Sequence, residues 1–315
     1  MFGKMFNQFY YGKSGKGDFR KEDRPKNRWQ LFWEMLKIRF SALIRLNLMY
    51  AVPWLPAMVV MVMGALALVT GLNQTMEGQG IEGAKQALEL FQGTLTTTML
   101  LLIPCITLTG PFTAGVAYVT RNWSRDEHAF IWADFKDAIK SNWKQSLVIS
   151  FITSLVPILV YVCWIFYGQM AQNSPLMVIP QVMTLMLGMI WFLGLTYFYP
   201  LIVSYQLRMR DVFRNGLLLT IARLPFSVAI RLGLLLPAAV ALLIMYVGNP
   251  AWAILGLFLY YLLFGFAFSR FVTASYTNGV FDRYINSQIA GAEINRGLSL
   301  ERDEDDDDAE EDVEE

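Results

Sequence analysis

The sequence predicts an all-α, polytopic membrane protein: six transmembrane helices, both termini in the cytoplasm, and amphipathic interfacial helices on the cytoplasmic side. Three observations predict it. Hydrophobic residues make up 55% of the 315 and charged residues only 17%, where an ordinary soluble domain carries about 25% charged residues. Six apolar stretches are each long enough to cross a hydrocarbon core about 30 Å thick, which takes roughly 20 residues of helix. Finally, Lys and Arg are concentrated in alternate loops.

The six stretches are roughly 46–72, 95–119, 145–167, 181–205, 228–248 and 251–273. None contains Asp or Glu, and the runs are continuous rather than alternating, which excludes a transmembrane β-barrel. Arg231 is the basic residue well inside a span, and its stem is expected to snorkel toward the interface. Before the first span lie 11 basic residues, from Lys4 to Arg45. Loop 73–94 has Lys85 alone against three glutamates. Loop 120–144 has Arg121, Arg125, Lys136, Lys140 and Lys144; loop 168–180 has no basic residue; loop 206–227 has Arg208, Arg210, Arg214 and Arg223; and 249–250 has none. Basic loops mark the cytoplasmic side, so the alternation puts both termini inside.

The formal net charge of zero hides a segregation. Residues 301–315 hold 12 of the 26 acidic groups and one Arg, so the first 300 residues carry 25 basic groups against 14 acidic. The expected organisation is a basic flexible cytoplasmic arm (1–30), a six-helix membrane domain (31–295) and an acidic disordered tail (296–315), whose like charges repel. Residues 1–30 have no apolar run of the kind a secretory signal needs, so the first span is expected to act as its own insertion signal.

Helical spacing also organises the basic segments. In 134–147, Phe135, Ala138, Ile139, Trp143 and Leu147 share one face, and Asp134, Lys136, Asp137, Lys140 and Lys144 the other. Such a helix is expected in the headgroup plane, basic face toward anionic lipid or a partner. Trp33, Leu36, Phe40 and Leu43 repeat the pattern before the first span, as do Val212, Phe213, Leu217 and Ile221 before the fifth. Three units of leader helix plus hairpin follow, whose common ancestry the spacing leaves open. After Arg270 a moderately polar helix is expected near 276–294.

Residues able to carry chemistry are few. Gly110–Pro111, after Pro104 and Thr107–Thr109, has two readings: a helix break whose half-helix N-terminus faces a ligand, or a kink where small residues let helices approach. His128 lies in a charged loop without further ligands, and Cys105 and Cys163 sit in apolar spans as small hydrophobes; no metal, cofactor or disulfide framework is expected. Gly12–Lys13–Ser14 lacks the first glycine of a phosphate loop, since position 7 is Asn7. The spans offer no carboxylate or His for proton coupling, though Asn47, Thr96–Thr98, Ser150, Ser154 and Gln181 are polar groups a neutral solute could use. No nucleophile stands near a base, so no enzyme is expected.

Several segments resemble the YesL family. The stretch Thr109-Gly110-Pro111-Phe112-Thr113-Ala114-Gly115-Val116-Ala117-Tyr118-Val119 is similar to its Gly-Pro-x-x-Ala span. Arg125-Asp126-Glu127, then Asp134-Phe135-Lys136-x-x-x-Lys140-x-Asn142, follow as in that family. Tyr199-Pro200-Leu201 and Arg214-Asn215-Gly216-Leu217-Leu218-Leu219 resemble its second recurring segment. The likeness covers roughly residues 40–280, with Gly115 and Gly216 standing where the family more often has Ala. It implies a bacterial multi-pass protein of the cytoplasmic membrane, without established catalytic residues and with an accessory role in carbohydrate uptake.

Two functions are therefore expected to compete. The first is an accessory or regulatory protein that docks on a membrane transporter through Lys136, Lys140, Lys144, Arg210 and Arg214, its basic face also touching anionic headgroups. The second is an autonomous transporter or channel with its site near Gly110–Pro111. A homo-oligomer is compatible with both, and nucleic acid is not an expected partner.

Overall fold

The computed structural model of the chain describes residues 25–76 and 81–299. The expectations for residues 1–24, including Gly12–Lys13–Ser14, and for the acidic run 300–315 lie outside the described residues. Among the described residues the regular structure is helical throughout. In chain order the elements are α1 (Arg28–Met76), α2 (Ile81–Trp123), α3 (Ile131–Ala171), α4 (Val178–Ser204), α5 (Met209–Ala222), α6 (Leu224–Val247) and α7 (Pro250–Tyr260). A π-helical turn (Tyr261–Gly265) then leads into α8 (Phe266–Tyr284). Six helical stretches are long and apolar enough to cross a membrane, with α7, the π turn and α8 forming the sixth.

The leader helices depart from expectation. The segments 31–45 and 134–147 are not separate helices in the headgroup plane but the first turns of α1 (49 residues) and α3 (41 residues). No Gly or Pro interrupts either chain before Pro53 or Pro157, so nothing breaks the hydrogen-bond ladder where the apolar run begins. At about 1.5 Å per residue these helices are some 60–75 Å long, about twice a hydrocarbon core, and they project past it. Only the third leader, α5, stands apart: Arg223 leaves helical geometry and Pro225 opens α6. Its buried side is Val212, Gly216, Leu219 and Thr220, while Ile221 is exposed, as Trp143 is on α3. The helix expected at 276–294 also ends early, at Tyr284, after which a short 3-10 turn (Asn286–Gln288) and an irregular segment lead to Ser299.

The helices run on through their prolines, and at Pro111 a neighbouring side chain takes the carbonyl the proline releases. Pro111 has no N–H for the carbonyl four residues back, that of Thr107. Ser150 of α3 donates its hydroxyl to that carbonyl at 2.7 Å, and Ser154 lies 3.2 Å from the Thr107 hydroxyl. Gly110 is what lets α3 come so close: a Cβ there would run into Ser150 Oγ and the Ser146 carbonyl. α2 runs unbroken through Gly110 and Pro111, and the pair forms a helix–helix seam.

Asn47 plays the same part for the sixth span. A π turn leaves its carbonyls out of step with the α ladder. The fully buried Asn47 amide donates to the Tyr261 and Leu262 carbonyls at 3.1 and 2.8 Å, and its oxygen accepts from the Ala267 N–H at 2.8 Å. Arg231, expected to snorkel toward the interface, bonds to a neighbouring helix. Its Nε donates to Thr196 Oγ1 of α4 at 2.9 Å and its guanidinium lies over the Phe192 ring, because α4 supplies both partners one helix away.

Two apolar clusters fill the bundle toward one end. One, around Tyr197, Phe198, Leu201 and Phe281, joins α4, α5 and α8; the other, around Leu46, Tyr50, Trp123 and Phe271, joins α1, α2 and α8. Gly115 and Gly216 serve these clusters. Built Cβ atoms would come 2.6 Å from the Phe135 ring and 2.5 Å from the Phe198 ring, so alanine at either position would not fit without movement. Large apolar residues such as Leu100, Leu159, Leu187 and Leu242 face outward, as on a bundle immersed in lipid.

The Gly110 seam yields a paired test. Gly110→Ala should destabilise by about 1–3 kcal/mol, the usual cost of overpacking, while Gly233→Ala, whose Cβ would meet nothing within 4 Å, should be neutral. Thermal unfolding of both in one detergent checks the difference.

Candidate functional site

Polar side chains concentrate at one end of the bundle, where the start of α1, the ends of α2, α4 and α8 and the starts of α3 and α6 meet. Helix C-termini leave carbonyls without intrahelical donors, and the neighbours supply them. Arg121 donates to the Val203 carbonyl at 3.3 Å, Asn278 of α8 to the Arg121 carbonyl at 3.3 Å and to Ser124 Oγ at 2.6 Å, and Gln145 of α3 to the Leu207 carbonyl at 2.7 Å.

Asp282 is the hub. Its carboxylate pairs with Arg28 at the start of α1 and accepts from the Asn295 N–H at 3.0 Å and from the Asn286 amide at 2.5 Å. Tyr205 donates to Asn286 Oδ1 at 2.7 Å. Burial, and then the Asp282 charge, push the Tyr205 phenol up to about 12, which keeps that proton in place. The carboxylate side chain is 7% exposed, so its charge is matched rather than solvated. Arg28 therefore belongs to the folded body, not to a flexible arm, and Ser299 N–H reaches the Pro25 carbonyl at 3.0 Å.

Beside this hub lie two polar depressions that share Ser204 and Tyr205. The larger, about 460 Å3, is lined by Asp134, Asp137, Ser141, Asn142 and Tyr118. The smaller, about 140 Å3, is lined by Arg121, Arg125, Asn278 and Glu293. Carboxylates on one side and guanidiniums on the other suit a polar or zwitterionic surface.

Each residue singled out from sequence has a place. Lys136, Lys140 and Lys144 are all exposed and follow one another at four-residue steps on α3; Arg210 and Arg214 are exposed on α5. The Gln145–Leu207 bond ties α3 to the linker before α5, so the two basic groups border the same end. Gly110 and Pro111 sit away from it, in the α2–α3 seam. His128 is exposed, its ring against Phe130 at 5.1 Å, and both cysteines are free and partly buried. Among the described residues no three His, Cys, Asp or Glu side chains group as metal ligands. Asn278, Asp282 and Asn286 escaped the sequence reading, although their four-residue spacing marks one polar face.

A bundle of six apolar helices is the architecture of a multi-pass membrane protein. A protein family described as "Protein of unknown function, DUF624" matches residues 87–164, the α2–α3 hairpin with Gly110, Pro111 and the three lysines. No curated protein and no solved structure matches the chain.

The hub makes a measurable prediction. Asp282→Asn keeps the shape but leaves Arg28 without its charge partner, and should cost about 1–3 kcal/mol. In an Arg28→Gln background the same change should cost distinctly less, which a double-mutant cycle by thermal or denaturant unfolding will read.

Proposed function

We propose that this chain is a non-enzymatic accessory protein of the bacterial cytoplasmic membrane that docks on a second membrane protein through its basic end. The reading rests on one observation above the others: Lys136, Lys140 and Lys144 form an exposed row, with exposed Trp132 and Trp143 on the same helix and exposed Phe130 just before it. A row of ammonium groups held rigid on a helix that projects past the hydrocarbon, with aromatic side chains beside it, suits an acidic face of a partner at the headgroup level. Arg210 and Arg214 extend it. The gathering of the basic loops at this end favours the cytoplasmic side for it by the positive-inside rule. The resemblance to the YesL family adds carbohydrate uptake as the process the partner serves.

The competing reading, a transporter or channel with its site near Gly110–Pro111, is supported by the prolines in the spans. It needs room beside that pair, and α3 occupies the Gly110 face with Ser146 and Ser150.

Affinity purification from native membranes in mild detergent tests the proposal. The wild type should carry a stoichiometric membrane partner, and Lys136→Glu, Lys140→Glu and Lys144→Glu combined should lose at least about tenfold of it at unchanged expression. Unchanged co-purification by the triple variant would contradict docking through this row, and solute flux from the purified chain in liposomes would support the transporter reading.

A further inference from the structure

A groove of about 400 Å3 runs between the start of α1, the start of α6 and the second half of α8. It changes character along its length. At the basic end it is rimmed by Arg28, Arg223 and Arg283; deeper in, its walls are apolar, with Phe32, Ile230 and Val272. Ile230 lies seven residues along α6 from Arg223, and Val272 eleven residues along α8 from Arg283. The apolar part therefore extends about 10–16 Å from the guanidiniums into the span.

The rim guanidiniums of Arg223 and Arg283 rest on the Phe226 and Tyr284 rings, and Arg223 also lies beside the Tyr276 and Tyr284 hydroxyls. Arg28 is paired with Asp282, whereas Arg223 and Arg283 have no carboxylate within ion-pair distance among the described residues. Two buried polar atoms in the groove, Arg223 Nε and Ser275 Oγ, have no hydrogen-bond partner among the described residues. Buried polar atoms are ordinarily satisfied, so both await an acceptor or donor from outside the chain. The surroundings are lipid-facing: Trp29 and Phe226, beside the rim, are 68% and 53% exposed.

We propose that this groove is a binding site for one anionic phospholipid of the surrounding bilayer. Its phosphate sits between Arg223 and Arg283, with Ser275 as a further hydrogen-bonding group, and the upper part of one acyl chain lies along Ile230 and Val272. A free phosphate ion would use the rim but leave the apolar floor unfilled, and a zwitterionic lipid such as phosphatidylcholine would fill the floor but bring its own cation against the arginine rim. Only an amphiphile with a net negative headgroup satisfies both ends. The site is independent of Lys136, Lys140 and Lys144.

The test is native mass spectrometry of the purified full chain with phosphatidylglycerol or phosphatidylcholine of identical acyl chains. The wild type should retain one phosphatidylglycerol with about tenfold preference over phosphatidylcholine. Arg223→Gln combined with Arg283→Gln should reduce that preference to about twofold or less. Ile230→Trp, which fills the floor and leaves the charges in place, should lose the bound lipid too and keeps the test decisive if the double variant does not fold. Lys136→Gln, Lys140→Gln and Lys144→Gln combined should keep the preference, although it removes more charge. The proposal is overturned if the double variant keeps its preference, if the lysine variant loses as much, or if inorganic phosphate alone displaces the lipid.

Discussion

A backbone carbonyl inside a bilayer has no water to turn to, and this fold is arranged around that constraint. Pro111 releases the Thr107 carbonyl and Ser150 takes it; at the π turn Tyr261–Gly265 the buried Asn47 amide donates to two carbonyls. Each repair crosses from one helix to another. The repairs therefore fix which helices are neighbours, and Gly110 sets how closely α2 and α3 approach. In hydrocarbon, where apolar surfaces gain little by finding one another, hydrogen bonds and close packing by small residues are the available glue.

This accounting redistributes the polar residues of the spans. Asn47, Ser150, Ser154 and Thr107 are engaged with backbone or with one another, and Arg231 is held by Thr196 and Phe192. Several of the groups that a solute could use by composition are thus engaged within the protein. What stays open to partners lies at the basic end: the lysine row of α3, Arg210 and Arg214, the polar depressions beside Tyr205, and the groove rimmed by Arg223 and Arg283. Asp282 holds that end together by tying α1 to α8 and to the segment that returns along it.

Much of the architecture was legible in the sequence because it follows from one-dimensional signals. Apolar run length gave the six spans, and the spacing of Lys and Arg sorted the loops that the fold gathers at one end. The rest depended on partners far away along the chain. That Ser150 serves Thr107, or Asn47 the turn at Tyr261, involves separations of 43 and 214 residues, and periodicity within a helix carries no such information. The leaders before the first and third spans looked like surface helices because their faces are amphipathic, yet continuity is decided by the absence of Gly and Pro at the junction. The hub was passed over for a different reason: Asn278, Asp282 and Asn286 fall where the helix ends, and an amphipathic reading treats such residues as solvated.

Whether Ser150 serves the carbonyl that Pro111 releases is measured directly by a double-mutant cycle. Ser150→Ala should destabilise the otherwise native chain by about 1 kcal/mol, read from unfolding in a single detergent. With Pro111→Ala, the restored N–H can close the bond to Thr107 within α2, and Ser150→Ala should then be nearly neutral. An equal cost of Ser150→Ala in both backgrounds would contradict the account, because the serine would then be contributing packing rather than repair.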